Sequence, residues 1–320
     1  MMKHFVFAVA GIAVAAAVGA IGLKTVHAGD MPIADMHCHL NPKSSPEDLL
    51  SWMDAAGVKW CATGVLGFKF GARKTRLKFA EVMGDRYIPF GGQSDLNAIY
   101  VTSQDVSAQN DAENPKFKKI FSLLKKDFEE GRIRGIGELF LNTSTTNKNA
   151  KMRRKADINS PAMKALFVLS NEHNGVITFH VEWDSDTVEQ IDDLMSANPS
   201  ARMILAHCGS NTGPKDVKPL FEKYPNFFCD LSARSVPKIP AKAFVHKPEQ
   251  KIFGPDGIVS GWKDLIEEMP DRFLVGSDVY DGAKYAKAIK VIRKGLLGNL
   301  SPETVEKVAY KNAVKLFGLQ

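Results

Sequence analysis

The 320-residue sequence is poor in the features that announce several common chemistries. It has only four cysteines, and no two are spaced Cys-x-x-Cys, which leaves zinc-finger and thioredoxin-type readings without support. GxSxG, HExxH and GxxxxGK[ST] do not occur, so the serine-hydrolase elbow, the zincin helix and the P-loop are excluded. "GIGELF" at 135–140 lacks the third glycine of a dinucleotide fingerprint. There is no internal repeat and no low-complexity tract. Neither sign of charge dominates: 42 Lys and Arg stand against 36 Asp and Glu, a formal +6. That mild excess argues against a dedicated nucleic-acid arm and leaves room for a small anionic substrate.

Long apolar runs are absent after residue 23. "FVLSNEHN" and "KVIRKGLLG" are broken by polar groups well short of a bilayer span. The one long run, Phe5 to Leu23, follows Lys3 and is closed by Val26-His27-Ala28. A basic start, an apolar centre and a small-residue exit form a secretory leader with cleavage after Ala28. The run is also long enough for an uncleaved anchor, but the exit favours cleavage. Residues 29–320 are then a single exported domain, periplasmic or secreted, with no stable membrane span. Export permits disulfides. Cys61 and Cys229 nevertheless sit inside strand-like runs, where buried inert thiols are common, and the expectation is of free thiols.

What remains is an alternation. "MPIADMHCHL", "VKWCATGVL", "RYIPFGG", "IRGIGELFL", "GVITFHVE", "RMILAHCG", "NFFCDLSA" and "RFLVGSDVY" read as strands. Between them lie amphipathic helices such as "PEDLLSWMDAAG", "PKFKKIFSLLKKDFEEG" and "DTVEQIDDLMSA". Pro46, Pro115 and Pro161 stand at helix starts, where a missing N–H is harmless. Eight strands alternating with helices predict an α/β protein with a parallel sheet, and eight closes a (β/α)8 TIM barrel. "SPETVEKVAYKNAVKLFGL" adds a C-terminal helix capped by Ser301.

The polar residues fall late in these strands. "IADMHCHLN" at 33–41 carries Asp35, His37 and His39, which period two places on one face. Such a trio on a buried face is costly unless something satisfies it; an HxH pair can also be a hydrogen-bonded core pair. Strand four adds Glu138, strand five His180, strand six His207 and strand eight Asp278. Alternation puts Thr178 with His180, and Leu205 with His207, on the site face. It leaves Ile177, Phe179, Ile204 and Ala206 for the helix layer. The C-terminal strand ends are where TIM-barrel catalytic groups gather. Imidazole nitrogens and carboxylate oxygens suit zinc or a similar divalent ion such as manganese.

"DMHCH" in the first strand, histidines ending the fifth and sixth, and "GSD" ending the eighth resemble the amidohydrolase superfamily. The closing "KNAVKLFGL" is similar to its amidohydrolase-2 branch of TIM-barrel metal-dependent hydrolases. The resemblance implies that His37 and His39 bind a first metal, with Asp278 completing that site and acting as general base. It implies that His180 and His207 bind a second metal, or that His207 acts as an acid beside a single one. Glu138 stands where other members place a group that bridges two metals. The activity implied is hydrolysis of an ester, lactone, amide or phosphoester. Decarboxylation is the alternative, since some relatives are single-metal decarboxylases, and "DMHCHL" is also similar to TatD-type nucleases. Asp35 is read as orienting a histidine.

Specificity in this fold comes from loops after the strands. Three are basic: "FKFGARKTRLK", "NKNAKMRRK" and "SARSVPK". Arg73, Arg153 and Arg154 are read mainly as solvated loop charges. Arg234, directly after strand seven, is the candidate to hold a substrate carboxylate or phosphate.

Overall fold

A computed structural model describes residues 31–145, 147–235 and 250–320; the leader and its cleavage site lie outside them. The barrel strands are β1 (Ile33–Asp35), β2 (Val58–Thr63), β3 (Tyr87–Gly92), β4 (Gly135–Asn142), β5 (Val176–Val181), β6 (Arg202–Leu205) and β7 (Phe227–Asp230). A small hairpin follows, β8 (Phe253–Gly254) and β9 (Gly257–Ile258), and then the eighth barrel strand, β10 (Phe273–Leu274). The sheet order is β1-β2-β3-β4-β5-β6-β7-β10, every pair parallel. Beyond β1 and β10, Met36 N–H donates to Val275 O (2.8 Å) and Asp278 N–H to His37 O (2.6 Å), drawing the two edges together. The result is a nearly closed (β/α)8 barrel.

The helices start where the sequence expects. Ser45, Asn114, Ser160 and Ser301 each accept a main-chain N–H at a helix start, with proline in the first turn. The segment Arg73–Met83, read from sequence as part of a basic loop, is a helix.

Two apolar layers follow from the strand pleat. Ala34, Ala62, Phe90, Val176, Ile204 and Leu274 form the barrel interior with Leu316 and Phe317 of the last helix, Asn312–Phe317. Ile33, Cys61, Ile177, Phe179, Met203 and Leu205 pack in the larger cluster with the surrounding helices. The last helix closes the N-terminal end of the barrel. Arg134 and Arg202, just ahead of β4 and at the start of β6, donate to its carbonyls at Phe317 and Leu316. The opposite end is left for the site. Among the described residues no helix is long and apolar enough to cross a membrane.

Cys38 and Cys61 form a disulfide, with Cα atoms 6.1 Å apart, while Cys208 and Cys229 are buried free thiols. This corrects the expectation of free thiols for the first pair. β1 and β2 are neighbours, and the chain turns after Asp35 so that Cys38 comes back over Cys61.

Candidate metal centre

Six predicted ligands converge at the C-terminal mouth, and all six are buried: His37, His39, Glu138, His180, His207 and Asp278. The backbone that aims them is unusual. His207, Cys208, Ala233 and Asp278 have φ between 51° and 58°, a region that non-glycine residues occupy at a cost. Strand pleat does not deliver these ligands directly. β6 ends at Leu205, and His207 swings inward through a turn rather than by alternation. Hence Ile204 faces the interior and Leu205 the helices, opposite to the sequence expectation. β1 likewise ends at Asp35, so Asp35, His37 and His39 do not share one strand face.

Glu138 sits at the centre. Its Oε2 lies 3.3 Å from His37 Nε2 and 3.8 Å from His39 Nε2. Its Oε1 lies 2.7 Å from His180 Nδ1 and 3.3 Å from His207 Nε2, and those two nitrogens are 3.2 Å apart. Asp278 Oδ1 is 2.9 Å from His39 Nε2 and 3.7 Å from His37 Nε2.

The histidine tautomers follow from the outer partners. Asp230 Oδ2 lies 2.9 Å from His37 Nδ1. A carboxylate can only accept, so Nδ1 keeps its proton and Nε2 is the nitrogen an ion would take, displacing a proton from it. Ser232 donates its hydroxyl hydrogen to Asp230, so it can only accept from His207 Nδ1 at 2.7 Å, and His207 Nε2 is the nitrogen left for an ion in place of its contact with Glu138. Gln93 donates its amide N–H to His39 Nδ1 at 3.3 Å, which leaves His39 Nε2 to donate to Asp278 Oδ1 at 2.9 Å.

Electrostatics push the cluster hard. Burial opposes charge on His37, but the carboxylates of Asp230 and Glu138 outweigh it and hold the imidazole pKa well above its usual value. Burial opposes ionisation of Glu138, yet the charge of His37 and hydrogen bonds from His180 and His207 hold it well below the carboxylate range. Asp278 is lowered despite burial by His39 and neighbouring imidazoles, and Asp230 is lowered by His37. Burial lowers His180. Among the described residues no Lys or Arg pairs with Glu138, Asp230 or Asp278. Three buried carboxylates set against imidazoles, with no Lys or Arg, favour a bound cation.

The donor set fits divalent ions. His37 Nε2 is fully buried and has no hydrogen-bond partner. Donors about 2.0–2.1 Å from a tetrahedral ion lie about 3.3 Å apart. The measured separations around His37, His39, Glu138 and Asp278 run from 2.9 to 3.8 Å. His37–His39–Glu138 and Glu138–His180–His207 each bring their donor atoms within 4.8 Å of one another, and they share only Glu138, through opposite oxygens.

Two sequence expectations are corrected here, and one residue is added. Asp230, at the end of β7, went unread, although it obeys the rule of a polar residue closing a strand. Asp35 orients no imidazole: it accepts from Ser277 N–H and Oγ–H (2.9 and 2.6 Å) and from His37 N–H, and burial raises its pKa. Arg234 is 1% exposed and does not offer a free guanidinium to a substrate. Its Nε donates to Gln250 O, its Nη1 to His207 O, Gly209 O and Thr212 Oγ1, and its Nη2 to Thr212 O. The other basic residues also have partners. Arg73 clasps Asp127, Arg153 donates to Asn147 O, and Arg154 is buried, donating to Phe140 O and Asn97 Oδ1.

The sequence profile described as Amidohydrolase matches residues 114–319. The chain belongs to the amidohydrolase family. No protein of curated function matches it. Solved structures agree on the fold. A protein of Acinetobacter baumannii assigned as a 2-pyrone-4,6-dicarboxylic acid hydrolase, with citric acid bound, is 13% identical; the match covers 90% of this chain and 99% of that one, at TM-score 0.55. Dihydroorotase from Campylobacter jejuni is 15% identical, over 91% and 84%, at 0.52. A 2,6-dihydroxybenzoate decarboxylase from Rhizobium is 14% identical, over 90% and 99%, at 0.51. At these identities the likeness is one of fold. The family is one of enzymes that includes both hydrolases and decarboxylases.

Proposed function

We propose that this amidohydrolase is an exported hydrolase that uses one or two divalent ions, zinc or manganese, to activate water against an ester, lactone, amide or phosphoester. The observation that carries it is Glu138, which turns one oxygen to His37 and His39 and the other to His180 and His207. His37, His39, Asp278 and Glu138 would hold one ion, and Glu138, His180 and His207 a second. A divalent ion held there polarises a carbonyl or phosphoryl group and lowers the pKa of bound water toward about 7. Asp278 does the proton work. It is ionised, and its Oδ1 is fixed by His39. At 9% its side chain is the most exposed of the paired carboxylates around the mouth. Its Oδ2 is left to take the proton of the attacking water and hand it to the leaving group. Asp230 holds the His37 ring in place through Nδ1, so Nε2 would need to lose its proton but not to turn in order to bind an ion. Phe140, whose ring centroid is 4.6 Å from that of His180, and Phe68 beside it form an apolar wall near the site. Export is supported by the leader pattern, and the disulfide suits an oxidising compartment.

The test is metal analysis of the purified mature protein, followed by a screen of lactones, carboxylate esters, amides and phosphoesters on metal-loaded enzyme. One or two ions per chain are expected. Hydrolysis should vanish on chelation and return with zinc or manganese. Full activity in metal-free protein would overturn the reading, and CO2 release without water addition would make the enzyme a decarboxylase.

A further inference from the structure

The two histidines of the first-strand motif flank Cys38, and Cys38 is bonded to Cys61 of β2. The segment that carries them is otherwise held by noncovalent contacts. β1 ends at Asp35. Beyond it the chain is tied by hydrogen bonds: Met36 N–H to Val275 O, His37 N–H to Asp35, Asp278 N–H to His37 O, His39 N–H to Val279 O (3.1 Å), and the bridge of Leu40 with Val65. The disulfide is the covalent tie between this ligand segment and the neighbouring strand, attached midway between the two imidazoles. Both sulfur-bearing residues are completely buried, so the bond is shielded once the barrel has closed.

We propose that the Cys38–Cys61 disulfide is a positioning device for His37 and His39, and that tight cation retention is acquired only when this pair is oxidised. The inference rests on the metal-site reading above. Ligand donors must be held within a few tenths of an ångström and a narrow range of angles. A turn between two buried histidines has freedom that the cross-link removes, mostly from states in which the imidazoles are splayed. In formation of the bond, the Cys38 and Cys61 thiols lose two electrons and two protons to a disulfide-bearing oxidant, which leaves as its dithiol. Because the bond is buried, oxidation belongs to folding, and the pair acts as a maturation step rather than a cycling switch. Cys208 and Cys229 remain free thiols throughout.

The experiment compares three full-length mature proteins: wild type produced oxidised, wild type folded with a phosphine reductant, and the Cys38→Ala/Cys61→Ala double variant. Peptide mapping of the oxidised protein should find one Cys38–Cys61 bond and two free thiols. Each protein is loaded with Zn2+, and release to a chromogenic chelator is timed. Each is also loaded with Co2+, and the visible spectrum, which reports ligand geometry, is recorded. Reduced and variant proteins should release zinc about 10-fold faster or more, the range produced by removing groups that orient metal ligands, with an altered cobalt spectrum and an intact far-ultraviolet dichroism. Equal release rates and identical cobalt spectra in all three overturn the inference, as does finding Cys38 and Cys61 reduced in active protein from an oxidising compartment. Should the double variant fail to fold, the reduced wild type decides. If the oxidised wild type takes up no cation, it is the metal-site reading that fails.

Discussion

Glu138 presents opposite carboxylate oxygens to two sets of histidines, and that arrangement makes metal count testable at a single residue. Glu138→Gln nearly keeps the shape and removes the charge. With two ions, the pair loses neutralisation; the ion at His180 and His207 should leave, while His37, His39 and Asp278 retain theirs. Metal analysis should fall from two per chain to one, with a steep loss of turnover. An unchanged stoichiometry of one, saturating in excess zinc, would rule the bridge out. Asp230 is the second residue to test. It fixes the His37 tautomer through a 2.9 Å contact, and Asp230→Asn puts an amide that can also donate against Nδ1. Zinc affinity should fall by about 10–100-fold, measured by chelator competition. An unaltered affinity would mean that the imidazole is oriented without it.

At the scale of elements, the strand ends decide more than the strands. The sequence places His207 on a regular alternation with Leu205, whereas β6 ends at Leu205 and His207 itself sits in a turn at φ 58°. Arg234 is misread for a related reason. Ala233, at φ 55°, turns the chain, and the guanidinium then holds the carbonyls of His207, Gly209 and Thr212 from the neighbouring strand end. It clamps the loop that bears a ligand. Arg234→Met should leave those carbonyls without donors and destabilise the fold by about 3 kcal/mol, read as a lower denaturant midpoint, with KM for a working substrate unchanged. A raised KM at wild-type stability would restore the substrate-contact role.

Across the whole molecule, the two ends of the barrel are specialised. Leu316 and Phe317 plug the N-terminal end, and the histidine and carboxylate cluster occupies the other. Phe317 is 3% exposed and packs on Phe90 with ring centroids 6.0 Å apart. Phe317→Ala should cost about 3–5 kcal/mol, seen in urea titration, without altering zinc stoichiometry of the folded protein. Loss of metal at unchanged stability would show that the two ends are coupled.

The fold was legible because eight short apolar runs alternate with helices whose serine, asparagine and proline signals are local; nothing distant is needed to read them. The histidine and carboxylate cluster was legible because a polar residue closing an apolar strand costs free energy unless it has work to do. Asp230 follows the same rule in "CDLSA" and could have been read with it. Three features belong to the tertiary structure alone. The Cys38–Cys61 bond depends on how far a turn carries Cys38 back over the next strand. The burial of Arg234 depends on a left-handed residue before it and on carbonyls of the neighbouring strand end. The division of Glu138 between two histidine sets depends on where four strands converge, a distance that no spacing along the chain encodes.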